Sequence, residues 1–322
     1  MTVLTVRELV ERKQKSLQLE LLTGDTGLDR TIKVPEVSSP GLVLAGFTAR
    51  FVPERMHVLG ETEIAYVRSL EADVRRRTLQ EFMSFDIPCV FVTKGQSVPR
   101  DLLRLAKERG VAVMRSKLRT SEFYRRITPY LAEVFAPATT MHASLTDVYG
   151  VGLLVTGRSG IGKSECVLDL VERGHRLVAD DIVHISKRAA GVLIGRATGL
   201  SHRYMEIRGV GLVDVSALFG VHSVRQQKRI EVVIELEEWE KAQEVDRTGL
   251  DGAKTTILGV ELPKVVVPLN PGKNVTVIAE VVAMNLLLRY SGVDPAVNFN
   301  ERLLTKLAEQ RELREYLAED YE

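Results

Sequence analysis

The chain has 322 residues, 45% of them hydrophobic and 27% charged, with a formal net charge of +1. That balance supports a full apolar core without disulfides or structural metal, and the near-zero charge argues against a general nucleic-acid binder. Two distant cysteines, Cys89 and Cys166, form no zinc or redox motif and read as small core residues in a reducing cytosol.

From Met1 to Lys13 charges alternate, with no apolar stretch of signal-peptide length. Within that stretch Val6–Arg12 predicts a short helix, with Thr5 and Glu8 spaced as a capping box. Ser38-Ser-Pro-Gly41 and Pro53 mark irregular connections. From His57 to Lys117 short β-branched runs alternate with polar helical stretches. Pro88–Thr93 and Val111–Met114 predict buried strands, and Glu71–Met83 and Arg100–Arg109 the helices between them, which makes a small parallel α/β unit. A helix from Ser121 to about Val134 ends before Ala136-Pro137, a natural boundary. Residues 1–133 are therefore expected to form one α/β domain and residues 134–322 a second, catalytic one.

In the second half, strands are predicted over Met141–Val148, Gly152–Thr156, Leu177–Val178 and Ile182–Ser186, with a hairpin strand near Gly191–Gly195. Arg229–Leu236 and Lys264–Pro268 predict further strands, and Val277–Tyr290 and Asn300–Leu317 helices. The most apolar run, Val275–Leu288, is interrupted by Glu280 and Asn285 and is too short to span a bilayer. A soluble, cytoplasmic chain without a membrane partner is expected, its acidic tail Glu319–Glu322 frayed.

The run Gly157-Arg158-Ser159-Gly160-Ile161-Gly162-Lys163-Ser164 fits the phosphate-loop pattern G-x-x-x-x-G-K-[ST]. Its glycines remove Cβ atoms where backbone N–H groups must turn inward around an anion. Lys163 can reach the β- and γ-phosphates, and the Ser164 hydroxyl can ligate Mg²⁺. An apolar strand leads in and an amphipathic helix, Glu165–Arg173, leads out, so the phosphate sits at a helix N-terminus.

Three further clusters bear on the chemistry. Leu177-Val-Ala-Asp-Asp181 sets two carboxylates at the end of an apolar strand, one suited to a metal and the other to a proton from an attacking hydroxyl. His142 sits in a strand just upstream of the loop, where a lone histidine is more often a packed core residue. Glu206 offers an oxygen to a hard cation and Arg208 an anion partner, while Arg247 reads equally well as a surface charge.

Taken in order, Met141–Gly152, Thr156–Glu165 and Arg173–Asp181 strongly resemble the bacterial HPr kinase/phosphorylase family. So do Glu206–Gly211, Asp246–Leu250 and Val267–Asn274, and more loosely Pro40–Gly46 and Leu59–Glu63. The resemblance implies a bifunctional cytosolic homohexamer whose P-loop kinase domain is of the phosphoenolpyruvate-carboxykinase-like type. It implies phosphorylation of a serine of HPr, the small phosphocarrier of the sugar phosphotransferase system, from ATP or pyrophosphate. It also implies the reverse phosphorolysis by inorganic phosphate, with Mg²⁺ or Mn²⁺ as cofactor. By motif position, His142, Lys163, Asp181 and Arg247 would be catalytic, and Ser164 and Glu206 the metal sites. Met205–Asp214 would serve both reactions and Pro268–Lys273 mainly the dephosphorylation. Two departures stand out: the family usually carries a basic residue where this chain has Asn270, and arginine where it has Lys273. Competing readings are a kinase of the same fold acting on another protein or a small hydroxyl compound, a nucleotide-sensing regulator without turnover, and a simple nucleotide hydrolase.

Overall fold

The fold is described from a computed structural model, over residues 3–239, 253–270, 272–294, 297–299 and 302–310. The chain divides into two compact units, Met1–Ala136 and Pro137–Glu322.

The first unit opens with β1 (Leu4–Thr5) and α1 (Val6–Leu17). Thr5 and Glu8 form the capping box expected of them, and α1 runs five residues past the predicted Arg12 to a left-handed Gln18. Then come β2 (Leu19–Leu21), β3 (Thr31–Ile32), β4 (Val37–Ser38), α2 (Gly41–Leu44) and β5 (Met56–Leu59). They are followed by α3 (Glu61–Ser69), α4 (Ala72–Phe82), β6 (Cys89–Val92), α5 (Arg100–Glu108), β7 (Ala112–Ser116) and α6 (Thr120–Val134). The main sheet runs β2-β7-β6-β5-β4; the last four strands are parallel and β2 is antiparallel to β7. Both faces are covered, which is why β5 and β6 are buried at every residue. One face packs Met56, Val58, Phe91 and Met114 against α1 and α6; the other packs Val90, Val92 and Val113 against α3, α4 and α5.

The second unit contains β8 (Ala138–His142), β9 (Ser144–Val148), β10 (Val151–Gly157), α7 (Lys163–Glu172), β11 (Arg176–Ala179), β12 (Ile182–Arg188) and β13 (Val192–Arg196). It continues through β14 (Tyr204–Ile207), β15 (Gly211–Asp214), α8 (Val215–Phe219), β16 (Gln227–Arg229), β17 (Val232–Glu238), β18 (Ala253–Ile257), β19 (Val260–Leu269) and α9 (Val275–Tyr290). A six-stranded sheet, β11-β9-β10-β17-β19-β18, is parallel only across β10, β17 and β19. A four-stranded antiparallel sheet, β16-β13-β12-β8, packs on one of its faces. The alternation along β10 sets the layers: Leu153 and Val155 pack with α7 and α9, and Leu154 packs between the sheets.

Two predicted strands are each broken, and at the same seam. Met141–Val148 divides at Ala143 into β8 in the outer sheet and β9 in the central one; Arg229–Leu236 divides between β16 and β17 in the same way. At the first break the Ala143 N–H bonds to Asp181 O at 3.1 Å, and at the second the Glu231 N–H bonds to Gly152 O at 3.0 Å. The chain changes sheets without an interruption in its apolar pattern, so periodicity alone does not mark the corner. Gly152 belongs to this corner: a Cβ there would stand 1.8 Å from Arg229 O. The predicted helix Asn300–Leu317 is described only over 302–310, where the chain is helical, and the tail Glu319–Glu322 lies outside the described residues. Among the described residues no helix is long and apolar enough to cross a membrane.

Candidate active site

Strand β10 delivers the loop and α7 carries it away. Gly157, Gly160 and Gly162 all have positive φ, at 141°, 76° and 105°. Space as well as conformation demands glycine at Gly157, which faces backbone, whereas Gly160 faces the movable end of a side chain. A Cβ on Gly157 would meet Leu236 O at 2.7 Å, and one on Gly160 would meet the Arg208 guanidinium at 2.8 Å. Arg208 therefore lies against the phosphate loop, although it sits more than forty residues further on, beyond β14. Lys163 donates from Nζ to Gly157 O at 3.0 Å and Arg158 O at 2.9 Å, holding its ammonium on the loop's own carbonyls. The other loop side chains diverge. Arg158 pairs with Glu238 at the end of β17, Ser159 is exposed, and Ile161 packs on the core under α7.

The two aspartates between β11 and β12 have opposite settings. Asp180 is buried, and its Oδ1 accepts from Ser144 Oγ at 2.5 Å and from Ser164 Oγ at 3.1 Å. Burial pushes its carboxyl above the usual range; the two hydroxyls and the Asp181 N–H act in the opposite direction. Asp181 adopts φ 64°, which turns its side chain outward, and its carboxylate lies 3.7 Å from His142 Nδ1, both groups about four-fifths exposed at 79% and 82%. His142 is thus no core histidine: it ends an outer-sheet strand, opposite Ile182, and faces solvent beside Asp181. Because Ser164 bonds Asp180, the Asp181–His142 pair stands one residue from the foot of the loop.

Glu206 is exposed on β14, whose alternate residues Met205 and Ile207 pack into the core beside Val167 and Leu170 of α7. Among the described residues no cluster of three or more His, Cys, Asp or Glu side chains could hold a metal by itself. A serine hydroxyl next to a buried carboxylate suits Mg²⁺ all the same, since that ion is usually bound by one or two protein oxygens plus water and substrate phosphate. Lys273 is exposed; Asn270 is half-buried, its Oδ1 without a hydrogen-bond partner among the described residues. Arg247 lies outside the described residues. Ser144 is the contact that the sequence did not signal: in a strand buried at every position, nothing distinguishes a hydroxyl aimed at a carboxylate from one that packs.

Comparison with known proteins covers both halves of the chain. Residues 4–131 match the family model described as HPr Serine kinase N terminus, and residues 133–303 that of the HPr Serine kinase C-terminal domain. A protein of Chloroherpeton thalassium named HPr kinase/phosphorylase is 42% identical over 314 residues, covering 95% of this chain and 92% of its own. One of Bacillus cereus with the same name is 42% identical over 301 residues, covering 94% and 96%. The solved structure of the Hpr(Ser) kinase/phosphatase from Coxiella burnetii is 35% identical, covers 51% of this chain and 99% of its own, and aligns with a TM-score of 0.45. Matched by both domain models and 42% identical to such relatives over nearly its whole length, this chain belongs to the HPr serine kinase family.

Proposed function

We propose that this chain is a cytosolic, oligomeric enzyme that transfers a phosphoryl group from ATP or pyrophosphate to a serine of HPr. In reverse it returns that group to inorganic phosphate, releasing pyrophosphate. The observation that carries the reading is the division of labour at Asp180-Asp181: one carboxylate buried on the loop serine, its neighbour turned outward beside His142.

In the forward direction Asp181 accepts the proton of the serine hydroxyl as its oxygen attacks the terminal phosphorus. Lys163 exchanges the loop carbonyls for phosphate oxygens, which its flexible stem allows, and Arg208 adds a second cation over Gly160. His142 contacts phosphate as a donor, and Arg247 completes the cationic set. Ser164 and Asp180, with Glu206, would hold Mg²⁺ or Mn²⁺, which would neutralise charge on the phosphates. In reverse, protonated Asp181 returns its proton to the departing serine oxygen, so one carboxyl serves both directions.

The test is incubation of the purified chain with HPr and ATP, then of phosphorylated HPr with inorganic phosphate while pyrophosphate is followed. Phosphate on a serine of HPr in the first step and pyrophosphate in the second are expected. ATP hydrolysis at an undiminished rate without HPr would instead mark a simple hydrolase.

A further inference from the structure

Strands β5, β6 and β7 of the first unit end together, and the chain leaves them toward opposite faces. From β5 and β6 it enters α3 and α5, which pack on the Val90–Val92–Val113 face; from β7 it enters α6, which packs on the face of Phe91 and Met114. Open α/β sheets bind their ligands in crevices outside the carboxyl ends of strands, where helices depart to opposite sides. Such a crevice is present here. It has a volume of ≈ 670 Å³, within the usual range of ligand sites, and Gly60, Glu61, Lys94, Arg119, Thr120 and Ser121 are among its lining residues.

Its walls are braced by polar bonds. Thr93 Oγ1, fully buried at the end of β6, shares a 2.7 Å hydrogen bond with Thr120 Oγ1 at the start of α6. Glu63 accepts from the Gly60 N–H at 2.8 Å and from Ser39 Oγ at 2.5 Å, which closes the N-terminus of α3 and engages both carboxylate oxygens. Lys94 is held in the left-handed conformation, φ 59°, with its N–H on Leu118 O at 2.8 Å, and its ammonium pairs with exposed Glu61. The α6 side is less committed. The 15-residue α6 has no side-chain cap, and the exposed guanidinium of Arg119, its N-cap residue, makes no ion pair or hydrogen bond among the described residues. An uncommitted guanidinium, a first helical turn with Thr120 and Ser121, and a lysine thus line one ligand-sized space.

We propose that this crevice binds a small anionic metabolite, its phosphate or carboxylate group seated against Arg119 and the first turn of α6, with Lys94 as the second cation. The site is independent of the phosphate loop, which belongs to the other unit. Glu61 is its internal competitor: while it holds Lys94, the crevice presents one free cation instead of two, so removing that carboxylate strengthens anion binding.

Hydrogen-exchange mass spectrometry on the full chain tests this, because it resolves peptides over 117–125 from those over the phosphate loop. The probes are inorganic phosphate and citrate, in separate arms up to tens of millimolar. Slower exchange, by several-fold, is expected over 117–125; phosphate alone giving it identifies a phosphate ester as the ligand class, citrate alone a carboxylate, and both a general anion site. Arg119→Glu should abolish the effect while the phosphate-loop peptides respond as before. Glu61→Gln should lower the half-effective anion concentration several-fold. Both residues are exposed, so neither change should alter Tm. Protection confined to the phosphate loop with both anions, or protection over 117–125 that survives Arg119→Glu, overturns the proposal.

Discussion

Asp180 and Asp181 are neighbours in sequence, yet backbone geometry gives them unlike chemistry. A φ of 64° at Asp181 reverses the direction of its side chain, so burial acts on the first carboxyl and solvent on the second. Asp181→Asn is therefore expected to lower kcat in both directions by roughly the 10²–10⁴ of a lost acid–base group, with nucleotide affinity intact by calorimetry. Asp180→Asn should act through the metal and be partly relieved by Mn²⁺; the reverse pattern would mean that the roles are exchanged. Lys163→Ala should abolish phosphorylation with Tm unchanged, since its ammonium touches only loop carbonyls. Asn270 carries a directional expectation for phosphorolysis, in which two phosphates must approach closely. Two unit charges ~4 Å apart repel by about 4 kcal/mol at an effective dielectric of roughly 20. Asn270→Arg should then raise the phosphorolysis rate, or lower the phosphate it requires, and change the kinase rate less; equal effects on both would mean that the loop acts by shape. At this scale the sequence displayed the loop and both carboxylates, because each is a local run. Apart from the family resemblance, it left His142 reading as a core residue, and it offered Arg208 as an anion partner without placing it on the loop, because their surroundings come from other elements.

Among the elements, α7 and α9 are joined by a polar knot inside an apolar interface. Glu280 of α9, only 5% exposed, receives Arg173 Nη2 at 2.6 Å and Nε at 2.9 Å, and lies 3.0 Å from His175 Nε2. The Arg173 bonds, more than the His175 contact, outweigh burial and hold the Glu280 carboxyl down at about 2. Its folded pKa is thus depressed, so its contribution is complete above the ordinary carboxylate range and is lost as pH falls from about 4.5 toward about 2. Glu280→Gln should cost on the order of 1–3 kcal/mol near neutrality, with the gap to wild type narrowing across that acid window. Trp239, the chain's one tryptophan, reports on this unit in urea titrations; a gap that stays constant down to pH 3 would refute the assignment. The knot also explains a limit of the sequence reading, in which Glu280 only interrupted an apolar run while its partners stood over a hundred residues away. The β18–β19 hairpin was illegible for a different reason. Its turn needs positive φ at Leu258, 50°, and Gly259, 71°, and leucine is not a residue that announces such a turn.

Among the described residues, one chain leaves apolar surface uncovered on its last helices. On α9, Val277, Val281, Met284 and Leu288 follow one another at helical spacing and remain 41–43% exposed. The other side of the same helix, Ala279, Val282, Ala283 and Leu286, is in the core. An aliphatic stripe of this kind on a surface helix marks an interaction face. Leu303, Leu304 and Leu307, in the helical stretch 302–310, are likewise exposed. A second copy of the chain is the natural occupant for a family expected to assemble as homohexamers, and light scattering at micromolar concentration and assay salt should find hexamers. Met284→Glu sharpens the expectation. Because Met284 is already 43% exposed within its own chain, the variant should fold with an unchanged monomer core. In an assembly it would bury an unpaired carboxylate at each contact, a cost of about 3–5 kcal/mol, or roughly 10²–10⁴-fold in association. Smaller species with native circular dichroism are the expected outcome; a variant that stays hexameric would move the interface elsewhere, and a wild type that scatters as monomer would remove it.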